Sequence, residues 1–98
     1  MLKRGYSIIR RNYRSSFGEV DIIAYDPSTE TIVFVEVKHR KRNSLTSPLE
    51  SITPSKVEKI RKTALQFLSE TTAGYSSVRF DAISVVDGQV EEHIENAF

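Results

Sequence analysis

The fold is decided by two neighbouring segments, FGEVDIIAY at residues 17–25 and TIVFVEVK at residues 31–38. Both are rich in the β-branched and aromatic side chains that favour strands. Between them, residues 26–29 read DPST, a cluster of turn-forming residues. This succession predicts a β-hairpin in which the two segments pair as antiparallel strands.

The two faces of each predicted strand differ in chemistry, because successive side chains of a strand point to opposite faces of a sheet. In the second strand, one face holds valines at positions 33, 35 and 37, and the other holds Ile32, Phe34, Glu36 and Lys38. In the first strand, Phe17, Glu19, Asp21, Ile23 and Tyr25 share the mixed face, and Gly18, Val20, Ile22 and Ala24 lie opposite. We expect the valine-rich face to pack against a helix.

The length of the turn predicts the register of the hairpin. If residues 27–30 form a four-residue loop, Asp21 lies opposite Glu36, and Glu19 lies opposite Lys38. A slip of one residue would set apolar positions against the ionisable face, so the alternation favours the same register. Directly opposed residues have Cβ atoms ~4.5–5.5 Å apart. We therefore expect Asp21 and Glu36 to lie close enough to share one cation.

A divalent cation is a natural partner for two facing carboxylates, because they otherwise repel each other. Oxygen ligands with room for water suit Mg²⁺ or Mn²⁺ rather than zinc. Such an ion activates water and stabilises charge on a scissile phosphate, and Lys38 is placed to assist. Glu19 is a candidate for a further ligand, although a pair with Lys38 explains it without a metal. The alternative for the whole group is a network of cross-strand ion pairs on a solvated face.

The rest of the chain predicts one helix and three further strands. Thr53 can cap a helix that begins at Pro54 and ends near Glu70, after a polar loop at residues 39–52. Its inner face holds Val57, Ile60, Ala64, Phe67 and Leu68, which leaves Lys56, Glu58, Lys59, Arg61 and Lys62 largely outside. Residues 6–13 fit a strand or a helix end, and we favour a strand. Residues 78–86 and 89–94 are strands joined by a tight Asp87-Gly88 turn.

The composition is that of one soluble globular domain spanning residues 1–98. The chain has 39% hydrophobic residues and no cysteine, which excludes disulfides, thiolate metal sites and a cysteine nucleophile. Its net charge of +1 hides an uneven distribution, since residues 1–62 hold 13 of the 14 Lys and Arg residues. No apolar run approaches the ~20 residues of a membrane span. We expect a cytoplasmic protein with no membrane partner.

Four segments in this order resemble a known family: GEVDIIAYD, IVFVEVKHRKR, SPLESITPSKVEKIRKTALQFL and VRFDAISV. The placement of Asp21 and of Glu36-Val37-Lys38 resembles the PD-(D/E)xK nuclease superfamily, with Val20 where its name has proline. The four segments together are similar to the YraN-like family of predicted endonucleases, which is itself similar to archaeal Holliday-junction resolvases. The resemblance runs from Gly5 to Val86.

The resemblance implies a restriction-endonuclease-like core, an α/β fold whose mixed sheet has a central hairpin and a packed helix. It implies that Asp21 and Glu36 bind Mg²⁺ or Mn²⁺, that Lys38 is catalytic, and that Glu19 supports them. It also implies a helix before the first strand. Because Met1 stands directly before that strand, we expect this helix to be absent or supplied otherwise.

A basic rim follows the predicted site directly, and we interpret it as a surface that contacts DNA phosphates rather than an ordinary solvated loop. It consists of His39, Arg40, Lys41 and Arg42, and Lys56 is a further candidate. Arg10, Arg11 and Arg14 extend this track or protect an exposed edge strand. Arg79 and Asp81 are interpreted as a structural pair, and His93 carries no usable signal.

The sequence thus predicts a metal-dependent endonuclease acting on DNA, with branched DNA and a homodimer suggested by the resolvase similarity. Two alternatives remain open. One is a catalytically inactive nucleic-acid-binding module of the same fold. The other is a protein-interaction domain whose acidic end, with Glu91, Glu92 and Glu95, meets a basic partner.

Overall fold

The predicted hairpin lies inside a five-stranded sheet in the computed structural model, which describes residues 5–42 and 52–98. Residues 43–51 of the predicted polar loop, and the start of the chain before Gly5, lie outside the described residues. The elements are β1 (Ser7–Arg14), β2 (Glu19–Asp26), β3 (Thr31–His39), α1 (Pro54–Glu70), β4 (Ser77–Val86) and β5 (Gln89–Ile94). All five predicted strands and the helix are confirmed, including the strand favoured for residues 6–13.

The sheet is mixed, in the order β1-β2-β3-β4-β5. Strands β3 and β4 are parallel, because the connection that contains α1 returns the chain to the end of the sheet at which β3 begins. The other neighbouring pairs are antiparallel. The hairpin of β2 and β3 is therefore internal, and β1 forms an exposed edge. This α/β architecture confirms the predicted fold class and is consistent with a restriction-endonuclease-like core.

The register of the hairpin agrees with the loop-length prediction over its apolar half. Asp26 pairs with Thr31, and Ile23 pairs with Phe34. Asp26 also fixes the turn, since its carboxylate accepts hydrogen bonds from the backbone N–H and the hydroxyl of Ser28. The described ladder ends at Ile22–Val35, which is short of both predicted ionisable pairs.

The helix begins and ends where the sequence predicts. The Thr53 hydroxyl caps it by accepting a hydrogen bond from the Lys56 backbone N–H at 3.2 Å. The predicted inner face is confirmed, with Ile60, Ala64 and Phe67 buried. Among the described residues, no helix is both long enough and apolar enough to cross a bilayer.

The sheet face against which the helix packs is the opposite of the one predicted. Helix α1 packs on the mixed face, where Phe67 meets Phe34 edge-to-face at 6.0 Å and Tyr13 at 5.3 Å between ring centroids. The valine-rich face instead forms a second core with Ile22, Ala24 and Ile83. Large aromatic side chains bury more apolar area than valine, so they fill the space between sheet and helix.

The alternation of β2 is interrupted next to Asp21. Val20 was predicted to share a face with Ile22, but it packs in the helix-side core together with Ile23. The adjacent residue of β1, Asn12, lies between the residues paired with Val20 and Ile22 and has a φ of 51°. This local irregularity lies beside Asp21, where the β2–β3 ladder also ends.

Candidate active site

A cavity of about 560 Å³ lies between the ionisable end of the hairpin and the first turns of α1. Its lining includes all four predicted catalytic residues, Glu19, Asp21, Glu36 and Lys38, together with Lys56 from the helix. The helix thus covers the apolar half of the mixed face with its body, and its N-terminal turn closes on the ionisable half.

Asp21 is held by the backbone of the neighbouring strand. Its Oδ2 accepts a hydrogen bond of 2.7 Å from the N–H of Val37. That amide lies beyond the last described β2–β3 ladder pair, so the carboxylate takes the place of a backbone acceptor. The bond positions Asp21 beside Glu36 although the two are not paired in the ladder.

Glu36 is a buried carboxylate with incomplete compensation. The residue is 7% exposed. Burial and the neighbouring Asp21 carboxylate raise the pKa of Glu36 from 4.5 to about 7, and Lys56 offsets only part of this rise. Asp21 and Glu36 thus lie together in the cavity as predicted, through side-chain proximity rather than through direct cross-strand pairing.

Lys56 is the main positive partner of Glu36. Its Nζ lies 2.8 Å from Glu36 Oε2, and the Lys56 side chain is 37% exposed. The contact is an ion pair without hydrogen-bond alignment, so Oε2 remains a buried acceptor that lacks a well-directed donor. The sequence placed Lys56 largely on the outer face of the helix, and the structure corrects this position.

Lys38 has the electrostatic surroundings of a proton-transfer or charge-stabilising group. Burial and a hydrogen bond with Lys56 lower the pKa of Lys38, while Glu36 and Asp21 act in the opposite direction. Burial also lowers the pKa of Lys56, but its contacts with Glu36 and Lys38 outweigh this and raise it. The two lysines therefore differ, with Lys38 closer to its neutral form and Lys56 held as a cation.

Glu19 lines the cavity but has a different partner from the one predicted. It pairs with Arg14 in the β1–β2 ladder. Its Oε2 also accepts a hydrogen bond of 2.6 Å from Arg14 Nε. The predicted cross-strand pair with Lys38 is not part of the described ladder, because the ladder ends three residues earlier, at Ile22–Val35.

Two arginines of the basic rim contact the acidic β4–β5 hairpin. Arg40 Nη1 lies 3.0 Å from Glu91 Oε1, and Arg42 forms an ion pair with Asp87. His39 and Lys41 are exposed beside them. The basic and acidic parts of the chain, which are separate in the sequence, thus partly neutralise each other in the fold, because the β4–β5 hairpin lies against the rim.

Two carboxylates together with water can hold a magnesium-like cation at this position. Within residues 5–42 and 52–98, no group of three or more His, Cys, Asp or Glu side chains is arranged around one point. Mg²⁺ keeps several waters and binds through one or two carboxylates, so Asp21 and Glu36 fit it. The buried Glu36 Oε2 supports the fit, since it has no well-directed hydrogen-bond donor and a cation would coordinate it directly.

A second ionisable cluster, which we call the Asp81 cluster, lies on the valine-rich side of the sheet. Asp81 is fully buried and forms two hydrogen bonds with Arg79, at 2.9 and 3.0 Å. His93 Nε2 lies 2.7 Å from Asp81 Oδ2, and the Tyr6 hydroxyl accepts a hydrogen bond from Arg79. The structural pair of Arg79 and Asp81 is present as interpreted, whereas the sequence missed Tyr6 and His93.

Comparison with known proteins shows which family the chain resembles along most of its length. The model of the uncharacterised protein family UPF0102 matches residues 1–85. A UPF0102 protein of Sulfurihydrogenibium is 47% identical, covering 96% of this chain and 79% of its own length. One of Persephonella marina is 48% identical over 96% of this chain and 78% of its own. A UPF0102 protein of Thermodesulfovibrio yellowstonii is 43% identical, and the match covers 100% of this chain and 84% of its own length.

Proposed function

The chain belongs to the uncharacterised protein family UPF0102, the YraN family, and we propose that it is a metal-dependent endonuclease that hydrolyses phosphodiester bonds in DNA. The single observation that carries this proposal is the cavity in which Asp21 and Glu36 lie together beside two lysines. Perturbed pKa values of opposite direction in one cleft are typical of catalytic sites.

Each residue has a part in the proposed reaction. Asp21 and Glu36 would hold Mg²⁺ or Mn²⁺, and the ion would supply Lewis-acid stabilisation of the scissile phosphate and a more acidic water nucleophile. Lys38, whose pKa is lowered by burial, orients the attacking water or receives its proton. The water oxygen bonds to phosphorus, the phosphorus–oxygen bond to the leaving nucleoside breaks, and the leaving oxygen takes up a proton.

DNA is the proposed substrate because lysines stand beside the carboxylates of the cavity and further basic residues follow them along the chain. Lys38, Lys56 and Lys59 line the cavity, and the exposed His39 and Lys41 follow Lys38 directly. Such contacts act on phosphates and carry no base sequence. The preference for branched DNA, and a homodimer that cuts two strands symmetrically, rest on the similarity to resolvases.

The experiment that tests this proposal incubates the chain with linear, flapped and four-way DNA, in Mg²⁺, in Mn²⁺ and in EDTA. We expect nicking or cleavage that requires metal and that is lost in Asp21→Asn and in Lys38→Met. Glu58→Gln is the matched control, because it neutralises an exposed carboxylate that pairs with Lys62 away from the cavity. Cleavage that survives both site substitutions would overturn the assignment of these residues.

Binding without cleavage is the outcome that would favour the alternative, an inactive DNA-binding module of the same fold. Both readings require that affinity for DNA falls steeply between low and physiological salt, because bound phosphates release counterions. An affinity that does not change with salt would reject DNA as the ligand in both cases.

A further inference from the structure

The first turn of α1 delivers a positive charge to the buried carboxylate of the site. Thr53 accepts a hydrogen bond from the Lys56 backbone N–H, which fixes where the helix begins. From that position the Lys56 side chain brings its Nζ to 2.8 Å from Glu36 Oε2. The carboxylate side chain is 8% exposed and that of Lys56 is 37% exposed, so the ammonium reaches inward from the solvent side.

The ammonium acts on the same charge that a divalent cation would neutralise. Two adjacent carboxylates repel each other, and a positive group in contact with one of them relieves part of this repulsion. A divalent ion bound to Glu36 would stand next to the ammonium, where two positive charges repel strongly in a half-buried cavity.

We propose that Lys56 is a built-in competitor of the divalent cation, holding the metal-free carboxylates together and leaving Glu36 when the cation binds. This inference rests on the proposed function, because it takes Asp21 and Glu36 as the metal-binding pair. Uptake of the ion would release the ammonium into the cavity, where it becomes available to a substrate phosphate. Lys56 then links metal loading to the N-terminal turn of α1.

The test compares Mn²⁺ binding and thermal unfolding of the wild type with those of Lys56→Met, Lys56→Arg and Lys59→Met. Lys59 is the matched control, because it carries the same charge on the same cavity wall one turn further along the helix. Measurements at pH 8.5 keep Glu36 ionised, since its pKa is about 7. Neither readout depends on DNA cleavage.

We expect Lys56→Met to unfold at a lower temperature than the wild type in EDTA and to bind Mn²⁺ at least threefold more tightly. Its unfolding temperature should also rise more on addition of Mn²⁺, because a ligand that binds only the folded state stabilises it more when it binds more tightly. Lys56→Arg keeps the charge and should bind Mn²⁺ within twofold of the wild type, as should Lys59→Met.

Unchanged or weaker Mn²⁺ binding in Lys56→Met, with normal binding in the wild type, would overturn the competition and leave the metal site standing. An equal gain in Lys59→Met would also overturn it, since the effect would then come from the general charge of the cavity. Absence of Mn²⁺ binding in the wild type and in every variant would reject the metal site itself and the competition with it.

Discussion

The two faces of the sheet each bury a carboxylate, yet the surroundings shift the two pKa values in opposite directions. Glu36 on the helix side is 7% exposed, and burial with the Asp21 carboxylate raises its pKa to about 7. Asp81 on the valine-rich side is 0% exposed, and burial also acts to raise its pKa, but hydrogen bonds from His93 and Arg79 lower it. Burial alone therefore does not decide the charge state.

The difference lies in how completely each carboxylate is compensated. Asp81 accepts two hydrogen bonds from Arg79 and one from the backbone N–H of Asn96, and it contacts His93 as well. Glu36 has an unaligned ion pair on one side and a second carboxylate on the other. We call the Asp81 cluster saturated, because its carboxylate has hydrogen bonds on both oxygens, and such a cluster stabilises the fold. We call the Glu36 side strained, because its buried carboxylate is only partly compensated, which is typical of a site that binds a charged ligand.

The largest expected effect is on the saturated cluster. Arg79→Met leaves Asp81 as a buried charge with part of its compensation removed, and we expect a loss of about 3–5 kcal/mol in the free energy of unfolding, measured in urea. Arg14→Met is the control, because Arg14 is 80% exposed in its pair with Glu19 and should cost less than ~1 kcal/mol. Equal costs at both positions would show that the Asp81 cluster is not the structural anchor that we describe.

On the strained side, we expect substitution of Glu36 to raise the free energy of unfolding, which is the opposite of the effect at Arg79. The folded pKa of Glu36, about 7, lies above the ordinary value of 4.5. Its contribution to stability is therefore fully present below pH 4.5 and is lost as pH rises through 7. Glu36→Gln removes this loss, so we expect it to raise the free energy of unfolding at pH 8 by about 1–3 kcal/mol, since one pKa unit corresponds to ~1.4 kcal/mol.

Urea unfolding between pH 4.5 and 8 checks this sign, with Glu58→Gln as the exposed control. The advantage of Glu36→Gln over the wild type should grow with pH and nearly disappear at pH 4.5. A variant that is less stable than the wild type at pH 8 would show that Glu36 is a structural charge like Asp81.

The smallest expected effect is at the outer edge of the saturated cluster. Tyr6→Phe removes the hydroxyl that accepts a hydrogen bond from Arg79, and we expect a loss of about 1 kcal/mol in the free energy of unfolding. Tyr75→Phe removes a hydroxyl from an exposed residue and serves as the control. Thermal or urea unfolding compares the stabilities of the two variants. Equal stabilities would show that the Tyr6 hydroxyl does not contribute to the Asp81 cluster.

Local signals explain why so much of the fold could be predicted. The Thr53-Pro54 start fixes the helix through its own backbone groups, and the loop at residues 27–30 fixes the register from Asp26–Thr31 onwards. The Asp87-Gly88 turn is a further example, since both residues adopt the positive φ that a two-residue hairpin requires, 52° and 78°.

The errors arise where the outcome depends on contacts distant in sequence. Alternation separates two faces but does not say which one a helix covers, and the packing of Phe67 on Phe34 decided this. Helical periodicity describes where Lys56 leaves the helix, not where its long side chain ends. His93 reaches Asp81 only because β4 and β5 pair across a turn.

The central claim is that Asp21 and Glu36 form the site of a divalent cation, and calorimetric titration of Mn²⁺ at pH 8 tests it most directly. We predict that the wild type binds one Mn²⁺ and that Asp21→Asn lowers the affinity at least tenfold, or ~1.4 kcal/mol. Asp87→Asn, which neutralises an exposed carboxylate of the β4–β5 turn, should retain the wild-type affinity. Asp21→Asn with undiminished Mn²⁺ affinity, or a wild type that binds no Mn²⁺, would contradict the claim.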